Sequence, residues 1–288
     1  MENVVTMDLS NCFETEPPPL DFVIPGFLSG DVGALVSPGG SGKSFLALNI
    51  AVATSTGHDL TSGALGVTST GKVTYLNAED APDALRRRLH ALGQFLSPDV
   101  RNEMIEHMTV KSLRGLNCWL LDETGKENAK AVDWLLNEAK DQRLVILDTL
   151  RRFHLGDENS SGQMAHLLGI LESIASQTGT AFLFLHHTNK SAATNGNGGE
   201  QGASRGSSVL VDNARYQANL TTMTPQEAQK LGLQEERRRW HVKFQTSKCN
   251  NAEPNEEIWL FRNTGGILTR ADFGNAVNSN VRRFSRGY

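Results

Sequence analysis

The chain has 288 residues, a formal net charge of −4, 39% hydrophobic residues and 21% charged residues, which is typical of a folded globular protein. This charge does not favour a single subunit that clamps duplex DNA, although a ring would multiply a few contacts by symmetry. No apolar run reaches the ~20 residues of a membrane span, no signal peptide is present, and the three cysteines form no C-x-x-C pair. We expect a cytoplasmic protein that makes no membrane contact.

The pattern of elements predicts a layered fold. Residues 1–20 end in EPPPL, which cannot be helical, so we expect an extended N-terminal arm. Short apolar runs then alternate with longer amphipathic stretches. The predicted strands are 32–36, 72–77, 108–112, 143–148 and 180–187, and the predicted helices are 43–54, 82–92, 131–140 and 162–177. This alternation predicts an α/β fold with a mostly parallel, twisted sheet covered by helices on both faces.

The sequence changes character at residue 188. Residues 188–204, TNKSAATNGNGGEQGAS, are too long for a tight connection and predict a mobile functional loop or a disordered one. Later runs alternate more strongly and predict C-terminal antiparallel strands that extend the sheet. Residues 271–288 have little patterning and are expected to form a flexible tail. The core domain is therefore expected to span residues 21–270.

A glycine-rich loop lies between the first predicted strand and helix. SPGGSGKS, residues 37–44, fits the Walker A pattern except that Ser37 replaces its first glycine. Lys43 is expected to reach the β- and γ-phosphates and Ser44 to ligate Mg²⁺, while the bare backbone of the loop cradles phosphate oxygens. The loop residues are Pro38, Gly39, Gly40, Ser41 and Gly42. The sequence thus predicts binding of a nucleoside triphosphate, ATP, with Mg²⁺.

Acidic residues follow two other predicted strands. RLVILD delivers Asp148 to a strand end, where a carboxylate can hold a Mg²⁺-bound water. VTYLNAED ends in Glu79 and Asp80, either of which could activate the attacking water. We favour Glu79 as the base and Asp80 as the cap of the helix that starts at Pro82, and the reverse assignment stays open.

Two further segments follow strands at the same predicted edge. FLFLHH ends in His186 and His187, where a donor could sense the γ-phosphate and pass its state to the polar loop. Arg151 and Arg152 follow the Asp148 strand, and Lys190 and Arg205 lie in or beside the polar loop. These four cations would bind nucleic-acid phosphates without reading bases. The alternative for Arg151 and Arg152 is a surface or salt-bridge role, and residues 86–88 favour a solvated helix face or a subunit interface.

These motifs, taken together, resemble a known family. The residues that carry the resemblance are PPPLDFVIP, VGALVSPGGSGKS, YLNAED, RLHALG, VILDTLRRFH, FLHHTNK and ASRGSSVLVDNARYQ, which lie between positions 17 and 217. In this order they resemble the RecA-like core of ring helicases. Among these, they resemble more closely the RepA-type hexameric replicative helicases of broad-host-range (IncQ-type) plasmids.

The resemblance implies a homohexameric ring that hydrolyses ATP at subunit interfaces, moves 5′→3′ on single-stranded DNA and unwinds a plasmid origin. A primase or origin-binding protein is a further implied partner. It also implies roles for Glu79 as base, Asp148 as Walker B acid and His187 as sensor. Arg215 matches the arginine that a neighbouring subunit supplies in trans, whereas the residues alone leave Arg205 as an alternative.

Other classes remain as alternatives. A recombinase-type filament would share the ATP site, but it usually carries a self-assembly strand or an extra DNA-binding domain. A nucleotide-switched regulatory oligomer with a protein partner would be expected to lack the catalytic glutamate or the trans arginine. A small-molecule kinase is disfavoured because no lid with clustered arginines is evident.

Overall fold

The computed structural model describes residues 5–187, 213–252 and 257–273. The predicted polar loop with Lys190 and Arg205, and most of the predicted tail, lie outside the described residues. The strands are β1 (Phe22–Ile24), β2 (Phe27–Leu28), β3 (Val32–Ser37), β4 (Val73–Asn77), β5 (Met108–Ser112), β6 (Leu144–Asp148), β7 (Ala181–His187), β8 (Tyr216–Thr222), β9 (His241–Cys249), β10 (Ile258–Arg262) and β11 (Leu268–Arg270). The helices are α1 (Leu9–Glu14), α2 (Lys43–Thr56), α3 (Pro82–Gly93), α4 (Pro98–His107), α5 (Ala129–Ala139), α6 (Ser161–Thr178), α7 (Pro225–Lys230) and α8 (Glu235–Arg238).

A nine-stranded sheet in the order β11-β10-β9-β8-β3-β7-β6-β4-β5 forms the centre of the molecule. Strands β8, β3, β7, β6, β4 and β5 are parallel, and β9, β10 and β11 extend the sheet in antiparallel pairs. The predicted sheet is thereby confirmed. The register pairs Ser37 with His187 and Asn77 with Asp148, so the carboxyl ends of four neighbouring strands share one edge.

The core consists of two layers, one on each face of the sheet. Alternate residues of β6 enter different layers: Leu144 and Ile146 pack with α2, while Val145 and Leu147 pack with α5 and α6. Strands buried on both faces need mostly apolar sequences, which is why β3, β6 and β7 carry polar residues only at their carboxyl ends, whereas the outermost strand β5 is more polar. None of the helices in the described part of the chain has both the length and the apolar character of a membrane span.

Four helices are absent from the prediction, α1, α4, α7 and α8, and side-chain caps explain where the first two begin. Residues 9–14 form α1 rather than extended chain, because the Asp8 carboxylate accepts hydrogen bonds from the N–H groups of Ser10 and Asn11. Helix α4 begins after Ser97, whose hydroxyl accepts from the N–H of Val100. Neither helix buries a residue. Helix α1 therefore lacks the apolar stripe from which the other helices were predicted, whereas Val100 and Met104 of α4 pack half-buried against the core.

The C-terminal strands curl back onto α2. The Asn49 side-chain amide donates to the carbonyl of Leu268 at 2.6 Å, and Gly266 lies so close to the Phe45 ring that a Cβ atom would come within 2.4 Å of it. Residues 271–273 also pack, since the Phe273 ring stacks on His241 with centroids 5.4 Å apart. The hairpin β10–β11 thus reaches the helix that follows the glycine-rich loop.

Candidate nucleotide-binding site

The loop between β3 and α2 presents open backbone to a cavity of about 410 Å³. Gly40 and Gly42 have φ angles of 76° and 100°, a region that favours glycine. A Cβ atom at Gly39 or Gly40 would meet nothing within 4 Å. No side chain caps the N-terminus of α2, so its first-turn N–H groups remain for an anion. This cradle fits a triphosphate.

Lys43 is buried at the base of the cavity. Its ammonium donates to the backbone carbonyl of His186 at 2.8 Å and lies 3.3 Å from His187 Nδ1. Burial lowers the pKa of Lys43 to about 8, and the carboxylates of Asp148 and Glu79 oppose that shift. A phosphate would therefore meet a poorly solvated cation that contacts a neutral carbonyl and a histidine ring nitrogen.

Asp148 is fully buried at the end of β6. Its Oδ2 accepts hydrogen bonds from the Tyr75 hydroxyl at 2.6 Å and from Asn77 Nδ2 at 3.1 Å. Burial raises the pKa of Asp148, and the Tyr75 and Ser44 hydroxyls oppose this. Within the described ranges, Oδ1 makes no hydrogen bond.

An unsatisfied carboxylate oxygen beside the Ser44 hydroxyl fits Mg²⁺, which prefers oxygen ligands and retains several of its waters. Ser44 would bind the ion directly and Asp148 through a water. When bound, Mg²⁺ supplies charge neutralisation at the β- and γ-phosphate oxygens.

Glu79 and Asp80 have different environments. Glu79 is exposed and lines the same cavity as Lys43 and Ser44. Partial desolvation and the nearby Asp148 raise its pKa, which suits a proton acceptor. The Asp80 carboxylate instead pairs with Arg88, with Nη2 3.0 Å from Oδ1. The expectation that Asp80 caps α3 is wrong, because Ala81 holds the cap position without a side-chain hydrogen bond.

The nucleotide cavity lies at the carboxyl ends of the parallel strands, whereas Arg215 lies at their amino ends. Its backbone N–H donates to the carbonyl of Val32 at 3.1 Å, at the amino end of β3. From there to Ser37 the strand spans about 17 Å at ~3.3 Å per residue. The Arg215 side chain is exposed and therefore not buried in its own core. The length of β3 separates it from its own loop.

Arg151 and Arg152 follow β6 in the 3₁₀ turn Leu150–Phe153, and both are exposed. Arg151 donates to the carbonyl of His154 at 2.9 Å and lies 3.7 Å from the Glu158 carboxylate, so the predicted salt-bridge alternative describes part of its surroundings. The Arg152 guanidinium has no ion pair or hydrogen bond among residues 5–187, 213–252 and 257–273.

A family model described as an AAA domain matches residues 3–193. The chain belongs to this family. Two solved structures resemble this AAA domain. The crystal structure of the RadB recombinase has 14% identity and a TM-score of 0.51, with 86% of this chain and 92% of that chain covered. The ATPase domain of G40P has 12% identity and a TM-score of 0.57, with 85% and 86% covered. This likeness shows a RecA-like P-loop NTPase fold and confirms the predicted fold class.

Two arginines that were not predicted as site residues also line the cavity. Arg88 packs over the Phe45 ring, 5.5 Å from its centroid, whereas Arg86 and Arg87 are exposed as expected. Arg262 comes from β10 and donates through Nη2 to the loop carbonyls of Ser41 at 2.5 Å and Gly40 at 3.2 Å. The run at 86–88 signalled a charged helix, but no local signal marks Arg262.

Proposed function

We propose that the protein is a replicative DNA helicase of the RepA type. It assembles as a homohexameric ring, hydrolyses ATP, moves 5′→3′ on single-stranded DNA and unwinds duplex at a plasmid origin. Ring size, polarity and the origin rest on the resemblance in the sequence. The chemistry rests on the cavity around Lys43.

The observation that carries the proposal is the separation of Arg215 from its own phosphate loop. The two arginines in the cavity are already engaged, Arg88 with Asp80 and Arg262 with loop carbonyls. An arginine that stabilises the transferring phosphoryl group would then come from another subunit. A head-to-tail contact between opposite edges of the sheet supplies one and, repeated around an axis, closes a ring.

Each residue has a defined task in this scheme. Lys43 and the loop N–H groups bind the phosphates, and Ser44 and Asp148 hold Mg²⁺. Glu79 accepts the proton of the attacking water. His187, 3.3 Å from Lys43, reports the γ-phosphate, and Arg215 of the next subunit stabilises the developing charge.

The strands that end in the cavity also lead to the proposed DNA contacts. Strand β6 delivers Asp148 and is followed by Arg151 and Arg152. Strand β7 ends at His187 and continues to Lys190 and Arg205, which lie outside the described residues. Nucleotide state can therefore move phosphate-binding loops.

A recombinase-type filament is the second candidate. The same head-to-tail contact gives an open helix when its rotation does not close, and the fold is shared with RadB. Electron microscopy with a non-hydrolysable ATP analogue separates closed rings from filaments.

A fluorescence unwinding assay tests the proposal with forks that carry only a 5′ or only a 3′ tail. We expect ATP-dependent unwinding of the 5′-tailed fork, loss of unwinding in Lys43→Ala, and full unwinding in the control Lys72→Ala, which changes an exposed lysine before β4. Hydrolysis by the wild type without unwinding of either fork would contradict a helicase.

A further inference from the structure

A second cleft lies on the sheet edge that carries the nucleotide cavity. It has a volume of about 400 Å³ and is lined by the segment after β5 and the turn after β6. The two segments are joined, since the Leu120 N–H donates to the Phe153 carbonyl at 2.7 Å and the Leu155 N–H to the Leu121 carbonyl at 2.9 Å. These backbone hydrogen bonds hold the two lining segments of the cleft together.

The cleft and the nucleotide cavity lie back to back. Ala78 lines the cleft, and the next residue, Glu79, lines the nucleotide cavity. Arg152 also lines the cleft and is close enough to Glu79 to oppose the rise in the pKa of that carboxyl that desolvation causes. An anion bound in the cleft would pair with Arg152. This pairing would weaken the interaction of Arg152 with Glu79, the proposed catalytic base.

The lining combines cations with apolar surface. Arg151 and Arg152 line one wall, and the exposed Arg114 is not itself part of the lining but is adjacent in sequence to residues of the other wall. Across the described part of the chain, neither Arg114 nor Arg152 has an ion-pair or hydrogen-bond partner for its guanidinium. Leu116 is 64% exposed and Trp119 is half-buried. Unpaired arginines beside an exposed apolar and aromatic surface match the backbone and bases of a single strand.

We propose that this cleft holds single-stranded DNA, with Arg114 and Arg152 on its phosphates and Leu116 and Trp119 against a base. This rests on the proposed helicase function and extends it, because it adds the segment that follows β5 to the DNA path. Contact through stacking and phosphates is tolerant of sequence, as a translocating enzyme requires. DNA bound in the cleft would also affect the charge environment of Glu79, because it would pair with Arg152.

The test measures binding of a fluorescent oligo(dT) by anisotropy, over a range of salt, with a non-hydrolysable ATP analogue present. The variants are Arg114→Gln and Leu116→Asp. Their matched controls are Arg101→Gln and Ile105→Asp, exposed residues on α4, which leads into the amino end of β5 rather than away from its carboxyl end. Circular dichroism verifies that each variant is folded.

We expect each cleft variant to bind about tenfold more weakly than its control, which is the order of effect that loss of a base contact has. Arg114→Gln removes a charge that binds phosphate, and Leu116→Asp replaces an apolar contact with a charge that repels phosphate. Arg114→Gln should also reduce the slope of log affinity against log salt by about 0.7 for each phosphate that the arginine neutralises in the wild type. Photo-crosslinking of an iodouracil-containing strand should label a peptide that contains Trp119.

Three results would overturn the inference. They differ in whether they also refute the proposed helicase function. Cleft variants that bind DNA like their controls refute the cleft but leave the helicase standing. Weak binding that coincides with impaired self-association in analytical ultracentrifugation makes the cleft a subunit contact instead. A wild-type protein that binds no single-stranded DNA refutes the proposed function as well.

Discussion

The ammonium of Lys43 donates a hydrogen bond to the backbone carbonyl of His186, with the two atoms 2.8 Å apart. This bond joins the first residue of α2 to the end of β7. A phosphate competes for the same ammonium and is the stronger acceptor, because both groups are charged. Nucleotide binding is therefore expected to weaken the contact between α2 and the end of β7.

The pKa of Lys43, which burial lowers to about 8, predicts a proton-linked binding step. Near pH 8 the free protein is partly unprotonated at Lys43, whereas a bound phosphate favours the charged form. ATP binding should therefore take up a proton, and affinity should fall as pH rises through about 8. Calorimetry at pH 8 in two buffers of different ionisation enthalpy measures this uptake.

Lys43→Arg serves as the control, because a guanidinium stays charged and should abolish the buffer dependence. A wild-type enthalpy that is the same in both buffers would contradict the prediction. For stability the sign is opposite: the unfolded chain keeps the Lys43 proton up to its ordinary pKa of 10.5. This group therefore makes the nucleotide-free fold more stable as pH rises from about 8 toward 10.5.

The positions of some site residues could be predicted from the sequence around them. The positions of others depend on contacts between segments that are distant in sequence. Lys43 and Asp148 were predictable because a strand, a loop and a helix in sequence fix where they lie. Arg262 was not, because it reaches Ser41 only when the antiparallel hairpin folds back across 221 positions. Asp80 was misassigned because its proximity to Pro82 indicated a cap, whereas Arg88, eight residues further on, binds its carboxylate.

Glu79→Gln should separate ATP binding from hydrolysis. The amide keeps the size of the side chain but cannot accept a proton, so kcat should fall about 10²–10⁴-fold while nucleotide affinity is retained. Because the pKa of Glu79 is raised, wild-type kcat should increase with pH through an apparent pKa above 4.5. Steady-state hydrolysis over a pH series, with binding of a fluorescent nucleotide, measures both effects.

Asp80→Asn is the matched comparison for Glu79→Gln. It removes a neighbouring carboxylate that is bound to Arg88 and to Asn77, so it should disturb KM for ATP more than kcat. If Asp80→Asn abolished hydrolysis and Glu79→Gln retained it, the base would be Asp80 and the assignment would be reversed.

Arg262→Ala should weaken ATP binding although Arg262 lies far from the loop in sequence. The guanidinium donates to two loop carbonyls, and loss of a charge-assisted hydrogen bond costs about 1.5–3 kcal/mol. We expect KM for ATP to rise about tenfold with a much smaller change in kcat. Arg270→Ala, at an exposed position on β11, is the control and should match the wild type. Equal KM values for the two variants would show that the loop is ordered without Arg262.

Arg215 and Lys43 should complement each other between subunits. Arg215→Ala alone should lower ATP hydrolysis by ~10³–10⁵ if it stabilises the transition state, and Lys43→Ala should be inactive as well. When equal amounts of the two variants are co-assembled at random, about a quarter of the contacts pair an intact loop with an intact neighbouring arginine. Hydrolysis should therefore reappear on mixing at about that fraction of the wild-type rate.

The exposed position of Arg215, at the sheet edge opposite its own loop, makes action within one subunit geometrically unfavourable. A mixture that stays as inactive as its components, in assemblies shown to exchange subunits, would exclude Arg215 and leave Arg205 as the arginine to test.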